Sequence, residues 1–393
     1  MQLLNKPNRF YRIALVLLAL TCTPCHADSK AVLHFAGFAY SGPYSDITKA
    51  FPYTAAINQP GPNKVAPLDE ALHKLLLDKT FPGFTIDYQS LGNIQTGDDL
   101  ALAFALNNES VSIEHIQDKY KVLFTLDAQA LIFNMKKMQI VASYPLGLDY
   151  IDVSPTMPTP AQIQDTFSKL YFGGLNANIL SQFVSTLENI KIKQRYGNTI
   201  QVSDVSIAQK AISNYPSDMQ SSLGAAKDLI ATQFSIYLSK NANIPVLPYT
   251  KDYAIGNKIA TRFANGDVFN LEVPQPDYTI DLNLLGFKKI LYDQESSGAS
   301  WVYGAFMHVR IEEPLSNHVY FDATIRNGAV KIVPASQTNV DDWPAFQDTL
   351  LGLMDQVTQQ FVSPDGSWIG SHVGPTGNIQ EFQNVAQVLK SCQ

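Results

Sequence analysis

Between residues 119 and 153 apolar and polar side chains alternate with a period of two. Val122, Phe124, Leu126, Ala128, Ala130 and Ile132 fall on one face of an extended strand, and Thr125, Asp127 and Gln129 on the other. After Lys136-Lys137 the alternation resumes, with Met138, Ile140, Ala142 and Tyr144 set against Gln139 and Ser143. This predicts a long antiparallel hairpin with one buried face and one wetted face. Residues 279–292, 301–312 and 319–333 alternate in the same way. Inside the last of them, Asn327-Gly328 supplies the residues a type I′ turn needs, so a tight hairpin is expected there. The unbroken apolar run Ala31–Tyr40 suits a buried strand, and residues 84–88, 190–208 and 244–249 also have strand character.

Helical spacing separates these strands. Leu68, Leu72, Leu75 and Leu76 predict a helix over 68–79 that Pro82-Gly83 ends. Thr159-Pro160-Ala161-Gln162 carries a cap, a first-turn proline and a capping box, and Ile163, Phe167 and Leu170 follow as its stripe. A second short helix is expected over 179–190. A longer one over 217–240 should present Met219, Leu223, Ala226, Ile230, Phe234 and Tyr237 on one face. Helices over 343–361 and 380–391 close the chain. The order of elements predicts an α+β (α/β) fold of two α/β units, each with long antiparallel strands covered by amphipathic helices. The first spans 28–190, the connection 191–215 and the second 216–393.

The first 27 residues alter this picture. Lys6, Arg9 and Arg12 precede eight apolar residues, Ile13–Leu20, and a polar stretch ends in Cys25-His26-Ala27. That order is a secretory signal peptide, with cleavage expected between Ala27 and Asp28. Eight apolar residues are too few to span a bilayer, which takes about 20. Cys22 and Cys25 fit a lipid-attachment motif poorly, so lipoprotein anchoring is the lesser alternative. Loss of the leader takes the net charge from -7 to -10, which disfavours nucleic acid as a partner. No later segment is apolar for long enough to predict a transmembrane helix. Only Cys392 remains outside the leader, so an internal disulfide and a cysteine zinc site are both ruled out.

Candidate chemistry is sparse. No two histidines have metal-ligand spacing, and no glycine-rich phosphate loop is present. His308, Arg310 and Glu312 share the polar face of a strand, and His34 lies in an apolar run as a core histidine. Asp365, Ser367, Ser371 and His372 crowd one stretch, read as a surface loop. It lacks the Gly-x-Ser-x-Gly elbow that exposes a nucleophile. Glu312-Glu313 are adjacent and so point to opposite faces of a strand, unable to flank one glycosidic bond. Asp341-Asp342 precede a helix as its cap. Trp301, Tyr303 and Phe306 have strand spacing, as core or interface residues do. No catalytic residue, cofactor or metal site is therefore assigned.

A strand-first opening followed by a long hairpin and helices resembles, in element order alone, the periplasmic α/β domains of bacterial envelope-assembly proteins. The curli secretion channel subunit and the amino-terminal domain of the Tol translocation protein are examples. The resemblance implies a non-catalytic role in the envelope and transfers no site residues. The expectation is an exported, periplasmic or secreted, binding or assembly protein with an envelope protein partner. A secreted hydrolase with a dispersed active site and a periplasmic solute-binding protein are the alternatives.

Overall fold

The computed structural model describes residues 30–393 apart from 43–45, 63, 89–99, 117, 191, 193–196, 221–222, 251–257, 265, 338–339 and 375–377. The expected signal peptide and its expected cleavage point between Ala27 and Asp28 lie outside the described residues. The chain opens with β1 (Ala31–Ser41), α1 (Ile47–Ala50), α2 (Pro52–Ile57), α3 (Pro67–Leu77) and β2 (Phe84–Asp87). Three long strands follow, β3 (Leu100–Ile116), β4 (Lys119–Asn134) and β5 (Gln139–Ser154), then α4 (Pro160–Phe172) and α5 (Ile179–Asn189). The second half contains β6 (Ile200–Ile207), α6 (Gln209–Ile212), α7 (Ser217–Gln220) and α8 (Leu223–Ala242). A short pair, β7 (Lys258–Phe263) and β8 (Val268–Glu272), precedes β9 (Tyr278–Glu295), β10 (Gly298–Glu313) and β11 (His318–Pro334). Helices α9 (Trp343–Val362), α10 (Gly366–His372) and α11 (Ile379–Ser391) end the chain. The expected mixture of long antiparallel strands and covering helices is what the chain adopts.

Two sheets form. The first has the order β2-β1-β3-β4-β5-β8-β7, and the second β11-β10-β9-β6. Each begins with a parallel pair, β1 with β3 and β6 with β9, and continues as an antiparallel meander of three long strands. One piece of the second half leaves this plan. The β7–β8 hairpin joins the first sheet, where β7 pairs with β1 and β8 meets β5, so the sheet curls back on itself. Ala39, Ala101, Ala103 and Ala105 line the enclosed side with Leu131, Phe133, Phe263 and Leu271. Their small side chains give the hairpin room to pack closely. The other face of this sheet is apolar and packs on α3, α4 and α5 through Phe104, Phe124, Phe167 and Phe183.

The described body of the chain, Ala31–Gln393, packs as one unit. Helix α8 joins its sheets, with contacts to β5 of the first and β6 of the second. This helix does not have the one-sided stripe expected of it. Phe234 and Leu238 enter the second core, but Gln233, Ser235, Ile236 and Ser239 are buried as well. A helix held from both sides needs no polar face, which is why its sequence is only weakly amphipathic.

The same helix corrects the wetted face expected for the β4–β5 hairpin. Thr125, Asp127, Gln129 and Ser143 point away from the apolar core as the alternation requires, yet all four are buried. Their polarity is met internally. Gln233 Nε2 donates to Asp127 Oδ1 at 3.0 Å, Asn108 Nδ2 donates to Asp127 Oδ2 at 2.9 Å, and Ser143 Oγ donates to Gln129 Oε1 at 2.5 Å. Thr125 Oγ1 donates to Asp149 at 2.7 Å. Burial, opposed only by these neutral donors and reinforced by the charge of Asp149, pushes the Asp127 carboxyl up to about 7. Gly147 lets this layer close, because a Cβ there would lie 3.0 Å from Ile236 and 3.1 Å from Asp127 Oδ1.

The expected turn at Asn327-Gly328 does not form. β11 runs straight through it, pairing Asn327 with Ala305 and Gly328 with Gly304. Neither residue has the positive φ that a type I′ turn demands. Long cross-strand pairing outweighs the local preference, and the turn before β11 falls instead at Asn317, with φ 55°.

Candidate binding surface

Among the described residues, helices cover only one side of the second sheet. Tyr303, Ala305, Met307, Val309 and Ile311 of β10, with Phe321, Ala323 and Ile325 of β11, face α8, α9 and α11. The residues between them form the opposite face. At one end this face is charged, as the alternation predicted. His308 Nε2 lies 2.9 Å from Asp322 Oδ1, Arg310 Nη1 donates to Asp322 Oδ2 at 2.7 Å, and Arg310 Nη2 lies 2.7 Å from Glu312. Glu313 points away from Glu312 and accepts from Ser316. These half-exposed pairs, across to β11 through Asp322 and along β10 through Glu312, satisfy one another, and exposed pairs of this kind contribute little stability.

The other end is apolar. Register places Ile290, Val302 and Val330 in one row across β9, β10 and β11, with Ile332 beside them. Ile332 is 75% exposed, Tyr292 73% and Val330 57%, and Ile290 and Leu291 are exposed too. Tyr292 is the extra residue of a bulge opposite Ser300 and Trp301. β11 is the outer strand. Among the described residues its free side is met only near Thr324 and Ile325, where Val373 bridges and the Gly374 N–H donates to Thr324 O at 2.8 Å. Ala329–Pro334 therefore has no described strand on that side.

The covered side at this end is tied together by ion pairs, hydrogen bonds and ring contacts. Lys289 Nζ lies 2.7 Å from Asp342 Oδ1 and sits 4.5 Å from the centre of the Trp301 ring. Tyr303 Oη donates to the same carboxylate at 2.6 Å. Lys331 pairs with Asp348 at 2.8 Å, and beneath them Phe287 packs edge to face on Trp343 and tilted against Phe346. The capping role expected of Asp341-Asp342 is thus divided. Asp341 accepts from the Trp343 N–H at 3.0 Å, while Asp342 serves Lys289 and Tyr303.

The other residues singled out in the sequence serve structural ends. Asp365–His372 is a short helix, α10, rather than a loop. Asp365 caps it through the Ser367 N–H at 2.9 Å, and the His372 ring stacks on Trp368 at 4.5 Å. Ser371 Oγ lies 2.8 Å from His372 Nδ1 on the exposed surface, with Asp365 turned to Ser367 instead. His34 Nδ1 lies 3.4 Å from Asp87 across the β1–β2 pair. Cys392 is a buried free thiol whose pKa burial pushes up to about 12, which keeps it in the unreactive thiol form. Among the described residues no group of three or more His, Cys, Asp or Glu could hold a metal ion, and no helix is long and apolar enough to cross a membrane.

No protein-family model matches the chain, and no curated protein matches it. Solved structures give slight likenesses. A minor lipoprotein from Acinetobacter baumannii matches at 10% identity over 42% of this chain and 86% of its own, with a TM-score of 0.22. A Xanthomonas campestris protein of family DUF330 matches at 12% identity over 48% and 88%, also with a TM-score of 0.22. A homologue of a neuraminyllactose-binding hemagglutinin from Helicobacter pylori matches at 11% identity over 51% and 95%, with a TM-score of 0.23. None of these neighbours is the curli or Tol domain expected from element order.

Proposed function

We propose that this chain is an exported, non-catalytic binding protein of the bacterial envelope that takes up an extended strand of an envelope protein along Ala329–Pro334 of β11. The observation that carries the reading is a sheet end whose outer strand has no neighbour over Ala329–Pro334 among the described residues and whose apolar row is exposed. A partner strand would satisfy the free backbone groups of β11, and its alternate apolar side chains would cover Val330 and Ile332. The leader over Lys6 to Ala27 supports export.

The Val330→Lys, Ile332→Lys double variant tests this. Both side chains are largely in solvent, so the melting temperature should stay close to that of the unaltered protein. Affinity capture from the native envelope fraction should then lose a partner that the unaltered protein retains, with binding at least about 30-fold weaker. Equal recovery by both proteins would contradict the reading. So would self-association abolished by the substitutions, which would give the strand to a second copy.

A further inference from the structure

A cleft lies on the first sheet, far along the chain from the β11 edge. β1 builds one wall. Its register with β3 slips between Phe35 and Gly37, leaving Ala36 as the extra residue, and Gly37 takes a φ of +93°. That slip turns the Phe38 N–H toward α3, where it donates to Asp69 Oδ1 at 2.6 Å. Asp69 and Glu70 stand in the first turn of α3, and His73 follows one turn on. Phe263, at the end of β7, closes the far side, and the Ala264 N–H donates to Phe38 O at 3.2 Å. The space enclosed is about 350 Å³.

Its chemistry is one-sided. Among the described residues two carboxylates enter the lining and no Lys or Arg does. Asp69 Oδ2 accepts no hydrogen bond among the described residues, and burial raises the Asp69 pKa. A half-buried anion with an open oxygen is stabilised by a cation placed beside it. The rest of the lining is apolar and aromatic, with Phe35, His73 and Phe263 beside Val65 and Ala264. Phe35 and His73 both pack edge-on against Tyr88, at 5.8 and 4.7 Å. Rings and carboxylates around one small space favour a cation with an apolar surface, since ring faces attract ammonium groups and apolar walls hold their methyls.

We propose that this cleft binds a small organic ammonium ion, its charge met by Asp69 and Glu70 and its alkyl groups by Phe35 and Phe263. The site is separate from the β11 strand edge and does not depend on that reading.

Calorimetric titration of the full chain with choline, and with its uncharged carbon analogue 3,3-dimethylbutan-1-ol, tests it. Choline should bind at least about tenfold more tightly, because only the charge differs. Phosphocholine should bind more weakly than choline, since its phosphate meets two carboxylates. Glu70→Gln alters an exposed side chain that no described contact requires, so the fold is retained. It should weaken choline binding about threefold or more while leaving the neutral analogue unchanged. Equal affinity for choline and its neutral analogue, tighter binding of phosphocholine, no binding of choline, or choline binding untouched by Glu70→Gln would each overturn the proposal.

Discussion

Asp127→Asn is expected to reduce the loss of folding stability that the unaltered protein suffers as pH rises from about 4 to about 7, leaving the share of Asp69, Glu109, Glu114 and Asp149, whose pKa values burial also raises. In the unfolded chain this carboxyl titrates near 3.8, while in the folded protein burial holds the proton until about 7. Across that window the unfolded chain has lost a proton that the folded chain keeps, so rising pH favours unfolding. The contribution of Asp127 is fully favourable below the lower value and is exhausted above the upper one. A shift of this size corresponds to a cost on the order of 4 kcal/mol at neutral pH and above. Asparagine keeps the shape without the charge. Its amide oxygen can still accept from Gln233, and Asn108 can turn its own oxygen toward the new amide group. Denaturant midpoints measured at several pH values for both proteins provide the check. A variant whose midpoints track those of the unaltered protein would show that Asp127 is not the buried titrating group.

Gly37→Val is expected to destabilise the protein by several kcal/mol and to close the first-sheet cleft. Two costs combine. A β-branched residue at φ +93° is strained by about 1 to 3 kcal/mol. A Cβ at this position would also lie 2.5 Å from Asp69 Oδ1, so the charge-assisted bond from the Phe38 N–H must break, at a further cost of about 1 to 3 kcal/mol. Thermal unfolding reads the first effect and choline titration of the folded variant the second. Stability close to that of the unaltered protein would mean that the β1 slip does not require glycine.

The sequence made some elements legible because their surroundings are simple. α4 and α11 rest one face on a core and expose the other, and both carry the capping boxes that mark their starts. β4 and β5 were legible for a similar reason, and their polar residues do point away from the first core. What the pattern could not carry was the identity of the second neighbour. Thr125, Asp127 and Gln129 look like solvent-facing residues because a buried hydrogen-bonded polar row and a wetted one have the same alternation. β3 was missed at Leu100–Leu106, where every residue is buried, because an unbroken apolar run suits a buried helix as well as a buried strand and no alternation decides between them. The β7–β8 hairpin was likewise missed, and its place in the first sheet rests on pairing between residues more than 200 positions apart.

The candidate sites were less legible still. Ile290, Val330 and Ile332 read as ordinary strand residues, because alternation says which face a side chain takes and not whether anything covers that face. The cleft draws on three segments, near residues 36, 70 and 263. The one local hint was a glycine inside an otherwise apolar strand, a pattern that often marks a bulge.

The claim that the open edge of β11 receives a partner strand is tested most directly by photo-crosslinking. A photoreactive amino acid would be placed at Ile332, and separately at Asp322 on the charged end of the same face, and irradiated within the native envelope. An adduct to a single envelope protein from position 332 and none from 322 is the result predicted. No adduct from 332, or the same adducts from both positions, would contradict it.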